Sequence, residues 1–245
     1  FYRGVSTRYD HILVGLDIER PEKMEEVSRE FAENRVVIIR GASGQGKTTL
    51  AYRYLREHFP NQWRFQVQLI QNRQHALSIG TALVGQAKAL GIPIAVYLDV
   101  SASDVDWPEL VKQLALHRNI RVLVAIREED FRRANISGAE FQFASVELRL
   151  NLSEARKIYK SLLERWTPAE LLTFEEAWNR FGEDGPLMEF VFLVTQGNTL
   201  HERLLQQVRR IEDEARGGLR DAAEIELLRL VSIASAFDSR VQLGP

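Results

Sequence analysis

The sequence predicts an α/β fold, a parallel sheet covered by helices on both faces, followed by an all-α helical domain. Three observations carry this. Apolar runs alternate with helical stretches over the first 150 residues, the pattern of strands joined by helical crossovers. One run, Val36-Val37-Ile38-Ile39, leads straight into a glycine-rich turn and then a helix. Past Leu150 no convincing strand follows, so the domain boundary is expected near Asn151.

The elements follow in order. Pro21 suits the first turn of a helix reaching about residue 33, with Met24, Val27 and Phe31 on one face. The first strand is expected over 35–40 and the next helix over 46–58. Residues 63–70 alternate apolar and polar, which suits a strand nearer a sheet edge. A helix over 73–90 and an apolar strand over 93–100 come next. Ser103 or Asp104 can cap the following helix, with Pro108 in its first turn, running to His117. Strands are expected over 120–127 and 146–150. Helices then read over 153–166, 167–181, 186–196, 199–215 and 221–236, with glycine-rich breaks at 182–185 and 217–218.

Composition sets bounds. The 245 residues, 45% hydrophobic and 27% charged, are those of an ordinary soluble globular protein of one large or two modest domains. Lys plus Arg (32) nearly balances Asp plus Glu (34), so no overall field draws nucleic acid or an acidic membrane. The chain has no cysteine, which removes disulfides, thiolate catalysis and most structural zinc sites and fits a cytoplasmic protein. No membrane span or signal peptide is visible. Opening on Phe1 rather than Met, the sequence is expected to be part of a longer chain. The histidines lack metal-ligand spacing, the four tryptophans suit core positions, and the mixed charges of 203–216 suit a solvated helix face.

The turn itself is the most specific signal. Gly41-Ala42-Ser43-Gly44-Gln45-Gly46-Lys47-Thr48 fits G-x-x-x-x-G-K-[ST], the P-loop that cradles nucleotide phosphates. Glycines let successive N–H groups of Gly41, Ser43, Gly44, Gln45 and Gly46 turn inward toward phosphate oxygens. The new helix, opening at Lys47-Thr48-Thr49, adds unpaired N–H groups and the positive end of its dipole. Lys47 is expected to reach the β- and γ-phosphates, and the Thr48 hydroxyl to complete a Mg²⁺ shell. Asp99 ends an apolar strand, which puts it at the carboxyl edge of the sheet as the second metal residue. The residue after it is Val100, where many hydrolysing P-loop proteins carry a second acid, so hydrolysis is expected to be slow. Asp104 and Asp106 lie nearby, as a further acid or as helix caps. Arg127 ends the next strand, either to contact the γ-phosphate or to pair with Glu128 or Glu129 at the surface. Gly185-Pro186-Leu187 reads as the first turn of a helix. No Asn-Lys-x-Asp element for guanine is present, which favours ATP or ADP.

Together these residues resemble the STAND class of signal-transducing P-loop ATPases, relatives of the AAA+ group that include NACHT and NB-ARC proteins. Phe1-Tyr2-Arg3-Gly4 and Gly15-Leu16-Asp17-Ile18-Glu19-Arg20 are similar to the lead-in of bacterial members. The glycine motif matches Walker A, Tyr97-Leu98-Asp99 a one-acid Walker B, and Val124-Ala125-Ile126-Arg127 the strand ending in a sensor Arg. Gly185-Pro186-Leu187 resembles the Gly-x-Pro element, which implies that Pro186 packs near the adenine. The resemblance implies a sheet of order 5-1-4-3-2 and three regions: an NTPase domain with its lead-in over 1–150, a helical domain over 151–218, and the start of a winged-helix or further helical unit over 219–245. It also implies an ATP-dependent homo-oligomer, with an N-terminal effector and a C-terminal sensor domain outside this segment, serving bacterial defence or signalling. A steady-turnover AAA+ motor or loader, and an adaptor that binds ATP without hydrolysing it, are the competing readings.

Overall fold

The computed structural model describes residues 7–101, 104–134, 136, 141–165, 172–182, 184–197 and 200–216, with a few positions between 223 and 231. The elements run α1 (Tyr9–Leu13), α2 (Pro21–Glu33), β1 (Val36–Gly41), α3 (Lys47–His58), β2 (Arg64–Val67), α4 (Arg73–Leu90), β3 (Ile94–Asp99) and α5 (Trp107–Ala115). They continue with β4 (Ile120–Arg127), α6 (Glu128–Ala134), β5 (Ala144–Glu147), α7 (Leu152–Arg165), α8 (Phe174–Phe181), α9 (Leu187–Gln196) and α10 (Leu200–Arg216).

The five strands form one sheet of order β2-β3-β4-β1-β5, parallel at every pairing, which is the expected 5-1-4-3-2 read from the other edge. Strand alternation sends β1 side chains to two cores. Val36 and Ile38 join Val122, Val124 and Ile126 beneath α4 and α5, with Trp107 filling the centre. Val37 and Ile39 join Leu123 and Ala125 beneath α2 and α3. A strand buried on both faces needs a continuous apolar run, and β1 and β4 supply one. β2, at the edge, is only half buried, as its alternation predicts. It is shorter than the expected 63–70, because a 3-10 turn over Asn61–Trp63 precedes it and the chain leaves the sheet after Val67.

A third core holds α7, α8 and α9 together through Ile158, Leu162, Phe174, Trp178, Phe190 and Leu193, with Ile18 of the lead-in packed against it. Local signals set these helices. Thr173 and Glu176 form a reciprocal capping box at the start of α8. Asn72 caps α4 by accepting from the His75 N–H at 2.9 Å. Between the sheet and the third core lies the segment 15–20. Asp17, fully buried, accepts from Arg53 Nη2 of α3 at 2.8 Å, and its carbonyl accepts from Arg165 Nη1 of α7 at 3.1 Å.

Several expectations need correction. Asp104 does not cap α5, which opens at Trp107 with Asp106 at the cap position making no side-chain cap bond. Asp104 is instead buried, accepting from Ser101 N at 3.0 Å, Ser101 Oγ at 2.7 Å and Ile70 N at 3.4 Å. The last strand is Ala144–Glu147 rather than 146–150, and α8 starts at Phe174 rather than 167. Helices α1 and α6 were not expected. Phe1-Tyr2-Arg3-Gly4, Ser103 and most of 219–245 lie outside the described residues. Of the tryptophans, Trp107 and Trp178 are buried as expected. Among the described residues no helix is long and apolar enough to cross a membrane.

Candidate functional site

The parallel sheet brings the chemistry-bearing residues to one edge because the motif, Asp99 and Arg127 all stand at carboxyl ends of strands. Gly41, the last residue of β1, lies opposite Arg127, the last of β4, and Asp99 closes β3 opposite Ala125. Above this edge is a cleft of about 470 Å³. Ser43, Gly44, Gly46 and Lys47 line it from the loop, and Thr48 and Thr49 from the start of α3. Asp99 and Arg127 face them from the sheet.

The loop is shaped by positive φ at Gly44 (77°) and Gly46 (80°), a region that side chains with a Cβ rarely adopt. Gly46 is the cap residue of α3, so the helix opens with its free N–H groups toward the cleft. Lys47 Nζ donates to the Gly41 carbonyl at 2.9 Å and the Ala42 carbonyl at 2.8 Å. Burial pulls the Lys47 ammonium below its ordinary range; Asp99 opposes that pull and Arg127 adds to it. An anion in the cleft would relieve this.

Thr48 Oγ1 donates to Asp99 Oδ2 at 2.8 Å. A hydroxyl and a single carboxylate are hard oxygen donors suited to Mg²⁺, which keeps several waters and takes its remaining ligands from phosphates. Among the described residues no group of three or more His, Cys, Asp or Glu could hold a metal by itself. Two residues before Asp99, the Tyr97 hydroxyl is buried, and burial pushes its phenol well up. Arg127 is exposed and, among the described residues, forms no ion pair. Glu128, one of its two candidate partners, is held by Arg40 Nη1 at 2.7 Å and Arg132 Nε at 3.0 Å.

Three expected residues stand apart from the cleft wall. Gly41 contributes its carbonyl to Lys47 and lies against Leu148. Gln45 is buried; its Nε2 donates to the Gly185 carbonyl at 3.2 Å and its own carbonyl accepts from Arg20 Nη1 at 2.7 Å. Pro186 packs on the loop: a Cβ added at Gly44 would sit 3.2 Å from both the Pro186 and Met188 Cβ atoms. The loop is thus clasped by the start of α9, with Met188 N donating to the Gly44 carbonyl at 3.0 Å.

Three residues of the cleft escaped the sequence reading, Thr7, Ser101 and Met188, and Val100, read only as lacking an acid, also lines it. Val100 and Ser101 follow Asp99 and could have been read as its continuation. Thr7 reaches Thr49, hydroxyl to hydroxyl at 3.1 Å, across 42 positions of sequence, and no local pattern signals it.

Strand order, parallel crossovers and the glycine loop between β1 and α3 define a P-loop nucleoside triphosphatase fold. No protein-family model matches the chain, and no curated protein does. Among solved structures it is similar to a Walker-type ATPase of Pyrococcus abyssi, with a TM-score of 0.54 over 89% of this chain and 77% of that one. The two share 13% sequence identity, so the likeness is one of fold.

Proposed function

We propose that this chain is a nucleotide-driven switch of the STAND type. It binds ATP with Mg²⁺ in the cleft, hydrolyses it slowly, and converts the difference between ATP and ADP into a change in how its helical segment is held. The observation that carries this is the clasp between loop and helices: Met188 N on the Gly44 carbonyl, and Gln45 Nε2 on the Gly185 carbonyl. A switch needs different nucleotide affinities in its two conformations, because equal affinity shifts nothing. Hydrogen bonds shared between the phosphate loop and the helical segment support this reading, because they give the nucleotide a route to act on how that segment is held.

Within this reading Lys47 meets the β- and γ-phosphates, and Arg127 detects the γ-phosphate. Thr48 and Asp99 hold Mg²⁺, which neutralises phosphate charge when bound. Likeness in fold to a Walker-type ATPase supports nucleotide hydrolysis as the activity. Slow turnover is supported by Val100, which is buried beside Asp99, and by Asp104, which is committed to Ser101 and Ile70. The further parts of the proposal are assembly in the ATP state, an effector before this segment, a sensor after it, and a role in bacterial defence or signalling.

The test identifies the nucleotide that copurifies, then follows turnover and mass by light scattering with ADP and with ATP. Tightly held ADP, slow turnover and ATP-dependent assembly are expected. Fast turnover at constant mass would instead make the chain a steadily cycling AAA+ type ATPase, and binding without turnover an adaptor. Asp99→Ala is expected to remove the Mg²⁺ dependence of ATP binding. A metal dependence that survives the substitution, measured by titration with and without a chelator, would clear Asp99 of the role.

A further inference from the structure

Beneath the glycine loop, away from the cleft, lies a buried ion pair that the proposed chemistry does not use. Arg20 and Glu154 are 134 positions apart, and their side chains are 3% and 10% exposed. Arg20 grips the carboxylate with a two-pronged fork, Nε to Oε1 at 2.6 Å and Nη2 to Oε2 at 2.9 Å. Its remaining Nη1 donates to the Gln45 carbonyl at 2.7 Å. One guanidinium therefore joins the lead-in, the first turn of α7 and the backbone of the phosphate loop.

The Gln45 carbonyl belongs to the peptide whose N–H is that of Gly46. In a trans peptide the C=O and N–H point in opposite directions. Pinning that carbonyl down onto Arg20 therefore aims the Gly46 N–H up, toward the cleft that Gly46 lines. Gly46 has φ of 80° and no side chain to resist rotation, so this peptide would otherwise be among the freest in the loop. Charge matters as well. A guanidinium is not deprotonated in a protein, and the planar fork fixes its direction. Glu154 is itself held in place, its N–H donating to Asn151 Oδ1 at 2.9 Å at the start of α7.

We infer that Arg20 is a positioning residue that makes the shape of the phosphate loop depend on where α7 sits. With α7 docked, Glu154 holds Arg20, Arg20 holds the Gln45 peptide, and the Gly46 N–H is preorganised for an anion. With α7 withdrawn, both charges hydrate and the peptide is released. Coupling of this kind is reciprocal: a nucleotide that needs the ordered loop favours the docked α7. The inference rests on reading the loop as a phosphate cradle and adds the wire by which the helical segment regulates it.

The deciding variant is Arg20→Met/Glu154→Met. Replacing both members of a buried ion pair by apolar side chains commonly leaves stability near its starting point, whereas removing one partner does not. The expected result is a melting temperature only a few degrees below wild type, the fall coming from the Gln45 carbonyl that loses its donor, with faster amide exchange across 41–48 without nucleotide and about ten-fold weaker binding of a fluorescent ADP analogue. Added ADP should slow exchange in α7 of the wild type and leave α7 of the variant unprotected. Arg20→Lys, which keeps the charge and loses the fork, is the second variant and is expected to weaken ADP to a similar degree. Exchange and affinity equal to wild type in either variant would overturn the inference and reduce the pair to a structural tie. Faster loop exchange in the variant, found together with a wild type that takes up no ADP, would keep the coupling and sink the nucleotide reading instead.

Discussion

Lys47→Ala should lower affinity for ADP and ATP by about a hundred-fold or more while leaving the fold intact. The ammonium is held between the Gly41 and Ala42 carbonyls, at 2.9 and 2.8 Å, so it already sits within the loop where phosphates would lie. Burial pulls its proton affinity down, which means the charged form lacks stabilisation that a polyanion would restore. Losing one or two charge-assisted hydrogen bonds removes about 1.5–3 kcal/mol each, and every 1.4 kcal/mol is ten-fold in affinity. The structural penalty is small by comparison. Lys47 is only partly buried and the cleft is open, so water can replace it on the two carbonyls, at a cost of about 1 kcal/mol or less. Equilibrium titration beside a thermal melt separates the two effects. Unchanged affinity with an unchanged melt would sink the P-loop assignment.

What the sequence made legible follows from how local each cause is. Helix α4 and strand β4 occur over the expected ranges, since Asn72 and Gly91 bracket the first and an unbroken apolar run makes the second. Lys47, Thr48, Asp99 and Arg127 could be placed on one edge because parallel strands deliver their ends to the same side. Helix α6 was hidden: Glu-Glu-Asp-Phe-Arg-Arg-Ala has no apolar periodicity to announce it, and its charges are spent on pairs such as Arg40 with Glu128. Asp104 misled because cap preference is a local statistic, and here burial with Ser101 and Ile70 prevails over it. The juxtapositions that tie the loop to distant chain were not legible at all. Thr7 with Thr49, Arg20 with Glu154, and Met188 with Gly44 join residues 42 to 144 positions apart, and no periodicity encodes such a meeting.

Gly41→Ala is the substitution expected to damage the fold most. A Cβ at Gly41 would lie 2.5 Å from the Leu148 carbonyl oxygen and 3.4 Å from that residue's carbonyl carbon. The obstacle is backbone, so no rotamer can swing aside. Leu148 cannot retreat freely either, because its N–H donates to the Arg40 carbonyl at 2.8 Å and continues the β1–β5 ladder that ends at Arg40 and Glu147. Relief must come from breaking that bond or bending the end of β1, and forced overpacking of this kind costs about 3 kcal/mol. In a chain of this size that lowers the melting temperature by about 6–12 °C. Gly91→Ala is the control. Both glycines have a positive φ, 156° at Gly41 and 67° at Gly91, and so share backbone strain, but nothing lies within 4 Å of a Cβ at Gly91, so its cost stays near 1 kcal/mol. Equal losses in the two variants would mean that Leu148 does not press on the end of β1. A much larger loss at Gly41 would show that the loop starts from a point the sheet leaves no room to move. That fixed point also carries the carbonyl that receives Lys47. The same substitution should therefore weaken nucleotide binding even at temperatures where the fold survives.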